Sequence, residues 1–172
     1  MESFTWMSPR TAELIIGPAL PLSLLAALLI AAAVSDLRRF LIPNAIALAV
    51  GALGLVFQLQ TGGPIGAAAL VAGVLLLVGF VAYAVRLIGA GDVKLFAALA
   101  LWAGPGEIAP LLLQTALLGG ALSILWVLSG PLRQGLMVAG FDVAVEPPRR
   151  IPYGLAIAGG GLLLIARLWP PL

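Results

Sequence analysis

Gly89-Ala90-Gly91-Asp92-Val93-Lys94 lies between two long apolar runs, residues 65–85 and 95–102, in a chain with only 9% charged residues. An ionisable side chain at membrane depth costs several kcal/mol by most estimates, so its presence there implies a function and a partner. The partner in this sequence is Asp36. It closes an earlier apolar run in Ser35-Asp36-Leu37-Arg38-Arg39-Phe40-Leu41-Ile42-Pro43-Asn44.

The apolar share is 62% and the mean hydropathy +1.17, against about 45–50% apolar residues in ordinary globular domains. A spanning helix needs about 20 apolar residues, so 172 residues hold about six spans and no separate soluble domain. The fold class expected is an all-α integral membrane protein, one membrane-embedded domain over 1–172. The net charge of +2 and pI near 9.7 do not point to nucleic acid, because the nine basic residues are scattered singly or in pairs between apolar runs. They read as topology determinants. With no Cys and no His, disulfides, zinc fingers, thiol catalysis and histidine bases are excluded. No metal and no cofactor is expected; chemistry must use carboxylates, Lys94, hydroxyls or backbone groups.

The expected spans are 15–34, 43–59, 65–85, 93–103, 108–128 and 152–168. Pro18 and Pro21 are expected to kink the start of the first. Ala31-Ala32-Ala33 resembles a leader-cleavage site, but signal peptides carry positive charge before their apolar run, whereas here Arg38 and Arg39 follow it. The first helix is therefore expected to be retained, with its amino terminus outside. Pro43 suits the first turn of the second helix. Residues 93–103 are too short to cross alone at about 1.5 Å per residue, so the fourth helix is short or begins inside the glycine-rich stretch. Gly104-Pro105-Gly106 reads as an exit turn, Gly119-Gly120 as a close-packing point, and Gln114, Thr115 and Ser123 as packing or interhelical hydrogen bonds. Residues 131–150 read as a connection with an interfacial or re-entrant segment at 136–145.

This topology puts Arg38, Arg39, Arg86, Lys94, Arg133, Arg149 and Arg150 on the cytoplasmic side and leaves only Arg10 and Arg167 outside. It also puts Asp36 and Asp92 on one face of the membrane. Peptide hydrolysis without metal, serine triad or cysteine needs a base to activate water and an acid to protonate the leaving amine. Two neighbouring aspartates supply both, because like charges at short range do not both ionise cheaply. They act as one coupled titrating unit, and the sequence does not assign the proton to either. Gly89 and Gly91 leave room for a substrate backbone or a neighbouring helix.

The acid followed by a basic pair and Ile42-Pro43-Asn44, the GAGDVK stretch at the head of a short helix, and Ile151-Pro152-Tyr153-Gly154-Leu155-Ala156 opening the last one resemble the type IV prepilin peptidases, GxGD-type membrane aspartic proteases. The motifs follow in that family's order along nearly the whole chain. The resemblance implies that Asp36 and Asp92 are the catalytic pair, with Gly89, Gly91, Lys94, Pro43 and Asn44 supporting them. It implies cleavage of short basic leaders from prepilins or pseudopilins at the cytoplasmic face of the inner membrane, just before the substrate's hydrophobic segment. Larger members add a domain with paired CxxC motifs that is associated with methylation; without cysteine, that activity is not carried over. The compact form is similar to the peptidases of tight-adherence (Flp-type) pilus systems and to archaeal preflagellin peptidases, with the bacterial pilus form favoured.

Simpler explanations stand beside these roles. Asp36 is explained as a helix-end acid paired with Arg38 or Arg39, and Asp92 as a cap of the fourth helix. Lys94 is explained as a snorkelling anchor, and Pro43, Asn44, Pro152, Tyr153 and Gly154, which read as shaping the site, are explained as helix starts too. Asp142 and Glu146 read as solvated loop acids, and Arg149 and Arg150 as anchors. The competing functions are a proton- or cation-coupled transporter and a non-catalytic membrane scaffold. The two carboxylates need not touch at rest; a wide separation would imply that helices one and four close on substrate.

Overall fold

The computed structural model describes residues 9–138 and 151–169, with side chains for Gly17, 19–129 and 151–169. Asp142, Glu146, Arg149 and Arg150 lie outside the described residues, as does most of the expected 136–145 segment. The described chain is all helix: α1 (Pro9–Arg39), α2 (Asn44–Thr61), α3 (Ile65–Ala84), α4 (Ala90–Val138) and α5 (Tyr153–Leu168). Four of these are long and apolar enough to cross a membrane, counted from Ala19 in α1 and to Ser129 in α4; α5 is apolar but shorter, at 16 residues. Leu48, Leu70, Leu77, Leu125 and Val127 stand exposed on the outside of the bundle, as lipid-facing residues do. The protein is a helical membrane bundle.

The boundaries differ from the expected ones in three places. α1 begins at Pro9 and stays helical through Pro18 and Pro21. Residues 131–138 belong to α4 and are not part of a connection. The expected fourth and fifth spans are joined with no loop: α4 breaks only at Gly104 (φ +53°, ψ −169°) and restarts at once. A Cβ is penalised at that φ, which is why glycine stands there. Pro105 can open the next segment immediately because a first-turn residue needs no N–H.

The missing Pro105 N–H leaves the Leu101 carbonyl without its helical partner, and the chain supplies another. Gln58, itself buried in α2, donates Nε2 to Leu101 O at 2.8 Å. Trp102 Nε1 donates to Val50 O at 2.8 Å, and its ring stacks on Phe57 with centroids 5.0 Å apart. These bonds fasten α2 to segment 90–103. Without a hydrophobic drive between helices in lipid, such packing and interhelical hydrogen bonds hold a bundle together.

Segment 90–103 leads away from Asp92, and segment 105–138 leads back along α5. Glu107 meets Arg167 at 3.4 Å near the corner, while Ser123 meets Tyr153 at 3.0 Å at the opposite end. Between them Thr115 packs on Gly160 and Leu118 on Gly159. Ser123 therefore makes the interhelical bond expected of it, whereas Gln114 Oε1 and Thr115 Oγ1 are buried without partners. Gly119 is a close-packing point, where a Cβ would lie 3.4 Å from Tyr153; Gly120 faces open space. The core at the centre is Leu22, Leu25 and Leu29 of α1 against Leu95, Leu99 and Trp102 of α4 and Leu164 of α5.

Candidate active site

One end of the bundle gathers the C-termini of α1 and α3 and the N-termini of α2, α4 and α5 around a cleft of about 920 Å³. Asp36, Pro43, Asn44, Gly89, Gly91, Asp92 and Lys94 all line it. No third Cys, His, Asp or Glu joins the two aspartates among the described residues.

Asp36 is 6% exposed, and its Oδ2 accepts the Gly154 backbone N–H at 2.7 Å. Gly154 is the second residue of α5, so this N–H is one of the donors that a helix start leaves without an internal partner. The carboxylate thus sits where the helix dipole favours negative charge. Arg38 and Arg39 are exposed, and the ion pair found among the described residues is Arg167–Glu107. The structure therefore replaces the helix-end pairing considered for Asp36 with a contact between helices far apart in sequence.

Asp92 is the third residue of α4. Gly89 precedes the helix and accepts the first helical bond, from Val93 N–H at 3.2 Å. The Asp92 side chain turns back over Gly89: a Cβ on that glycine would lie 2.8 Å from Asp92 Oδ2. Asp92 therefore covers the start of its own helix as well as facing the cleft. No hydrogen bond joins Asp36 and Asp92 directly.

Lys94 extends along the cleft and donates to Asn44 Oδ1 at 2.9 Å, tying the start of α4 to the start of α2. Pro43 sits just before α2 rather than in its first turn, and its carbonyl accepts the Ile46 N–H at 3.0 Å. Ile42 was quoted only as part of the Ile-Pro-Asn motif and given no role of its own, yet it wedges between the helices that carry the site. A Cβ on Gly91 would lie 3.1 Å from its Cβ, and one on Gly154 would lie 2.9 Å from its Cδ1. An isoleucine in an apolar chain gives no signal for such a role. Tyr83, Arg86 and Tyr153 also reach the cleft. Phe40 (φ +52°) and Arg86 (φ +62°), both on its rim, are non-glycine residues in the left-handed region, the kind of local strain that clusters at functional sites.

The fold is thus that of a helical membrane protein, with two aspartates lining one cleft at the end of its bundle. Residues 23–124 match the type IV leader peptidase family, and since that is more than half of the chain, the protein belongs to this family. No curated protein and no solved structure matches it. The matched stretch contains Asp36 and Asp92 and ends before α5, whose Gly154 supports Asp36.

Proposed function

We propose that the protein cleaves the leader peptides of type IV prepilins or pilin-like proteins at the cytoplasmic face of the inner membrane, using Asp36 and Asp92 as an acid/base dyad. The observation that carries this reading is that the two aspartates, from helices distant in sequence, line the same cleft. A water held between them loses a proton to the ionised partner as it attacks the scissile carbonyl. The protonated partner then gives its proton to the departing amine, and the pair is reset by exchanging roles. The Gly154 N–H orients Asp36, whose carboxylate keeps acceptor sites for water. The apolar stretch 95–100 behind the cleft supports hydrolysis over a proton or cation relay, which needs polar groups through the bilayer.

The test co-expresses a prepilin with wild type, Asp36→Asn or Asp92→Asn, and follows processing by gel mobility. General acid–base groups contribute roughly 10²–10⁴-fold, so each substitution is expected to slow cleavage by at least ~10²-fold while the protein still inserts. Undiminished cleavage by either variant removes that residue from the mechanism.

A further inference from the structure

A second depression, of about 560 Å³, runs between α3 and the start of α4. Gly73, Leu76, Leu77 and Phe80 form its α3 wall at i, i+3, i+4 and i+7, a single stripe of that helix. Val93 and the stem of Lys94 form part of the opposite wall. Tyr83, Ala90 and Lys94 line both this groove and the aspartate cleft, so the two are continuous. Polarity changes sharply along the joined surface. The cleft presents Asp36, Asn44, Arg86, Asp92 and Lys94, whereas beyond the shared Tyr83, Ala90 and Lys94 the side chains that line the groove are Leu76, Leu77, Phe80 and Val93. At the groove's far end a Cβ on Gly73 would meet nothing within 4 Å, so the missing side chain widens it rather than serving the protein's own packing.

Resting on the peptidase reading above, we infer that this groove seats the apolar helix of the membrane-anchored substrate, on the side of the scissile bond opposite the leader. A polypeptide laid across the aspartates along this path has polar residues at the cleft and an apolar segment descending the groove. Leu76, Leu77 and Phe80 are exposed and available to it. Helices in lipid associate by close contact with small residues, and Gly73 offers such a contact. The groove therefore selects substrates by the apolar segment that follows the cut, and it holds that segment in register with the dyad.

The experiment uses the full chain in membranes, made inactive by Asp92→Asn, with a photo-reactive amino acid at Leu77 or at Val78. Val78 is comparably exposed, at 59% against 66% for Leu77, but is turned about 100° from it around α3 and does not line the groove. The probe is a membrane-anchored prepilin with its apolar segment intact. Substrate adducts are expected from position 77 and only at background level from 78, because only a probe that faces the groove lies against the bound segment. Adducts to lipid only, adducts between two copies of the enzyme, or equal labelling from both positions overturn the proposal. In the active protein Gly73→Trp is expected to raise KM about tenfold with kcat within about twofold, the pattern for lost ground-state binding. An unchanged KM also overturns it. Continued cleavage by the Asp92→Asn protein would refute the dyad while leaving the adduct pattern to judge the groove.

Discussion

Asp36 depends on a backbone group rather than a side chain. Its partner is the N–H of Gly154, and a Cβ there would lie 2.7 Å from Asp36 Oδ2 and 2.9 Å from Ile42 Cδ1. Both neighbours are buried between helices, so neither can simply swing aside. Gly154→Ala is expected to push the carboxylate out of line. An error of about 1 Å in the placing of a reacting group costs on the order of 10²-fold in rate. The expected outcome is therefore a loss of processing approaching that of Asp36→Asn, with insertion intact, measured by prepilin cleavage in membranes. Wild-type activity in this variant would show that the Gly154 contact does not position the acid. The two acids were legible in the sequence because charge is so scarce in it. Gly154 read both as a site-shaping residue and as a helix start; that its N–H holds Asp36 was not legible, because a backbone N–H carries no residue signature.

At the scale of the element, the corner in α4 decides whether the bundle can close. Gly104 alone turns the chain from the segment packed on α2 to the segment packed on α5, and its φ of +53° with ψ near −169° is a region used almost only by glycine. Gly104→Ala is expected to destabilise the protein by about 1–3 kcal/mol through backbone strain. A Cβ there would also stand 3.4 Å from Gln58 Nε2, the group that satisfies Leu101 O, so relief by local shifting would loosen that bond. Unfolding in detergent micelles, followed by circular dichroism, measures the loss; an unchanged midpoint would mean that the corner relaxes freely. The sequence showed a break at 104–106 but not its size. Glycine and proline mark where a helix is interrupted, while the number of residues spent depends on whether Pro105 can serve as the first residue of the next segment. Pro131 misled in the same way, reading as a stop although the helix continues to Val138.

Across the whole molecule, Asp36, Arg38, Arg39, Arg86, Asp92 and Lys94 gather at one end of the bundle and Glu107 and Arg167 at the other. The sequence supported this division because basic residues between apolar runs report on sidedness even when helix boundaries are wrong by several residues. It did not reveal the α3–α4 groove, since leucines facing lipid and leucines facing a partner are the same in composition and period. Sidedness itself can be measured directly. The chain has no cysteine, so a single introduced thiol reports its own position without background. Leu87 is 74% exposed beside the cleft, and Gln60 is exposed near the end of α2, close to the opposite surface. With the amino terminus outside, a membrane-impermeant maleimide added to intact spheroplasts is expected to label Gln60→Cys and spare Leu87→Cys until the membrane is permeabilised. The reverse pattern would put Asp36 and Asp92 on the outer face and rule out the proposed cytoplasmic processing. Labelling of both from outside would mean that the two ends of the bundle do not lie on opposite sides of the bilayer, and the assignment of α2 as a spanning helix would fail with it.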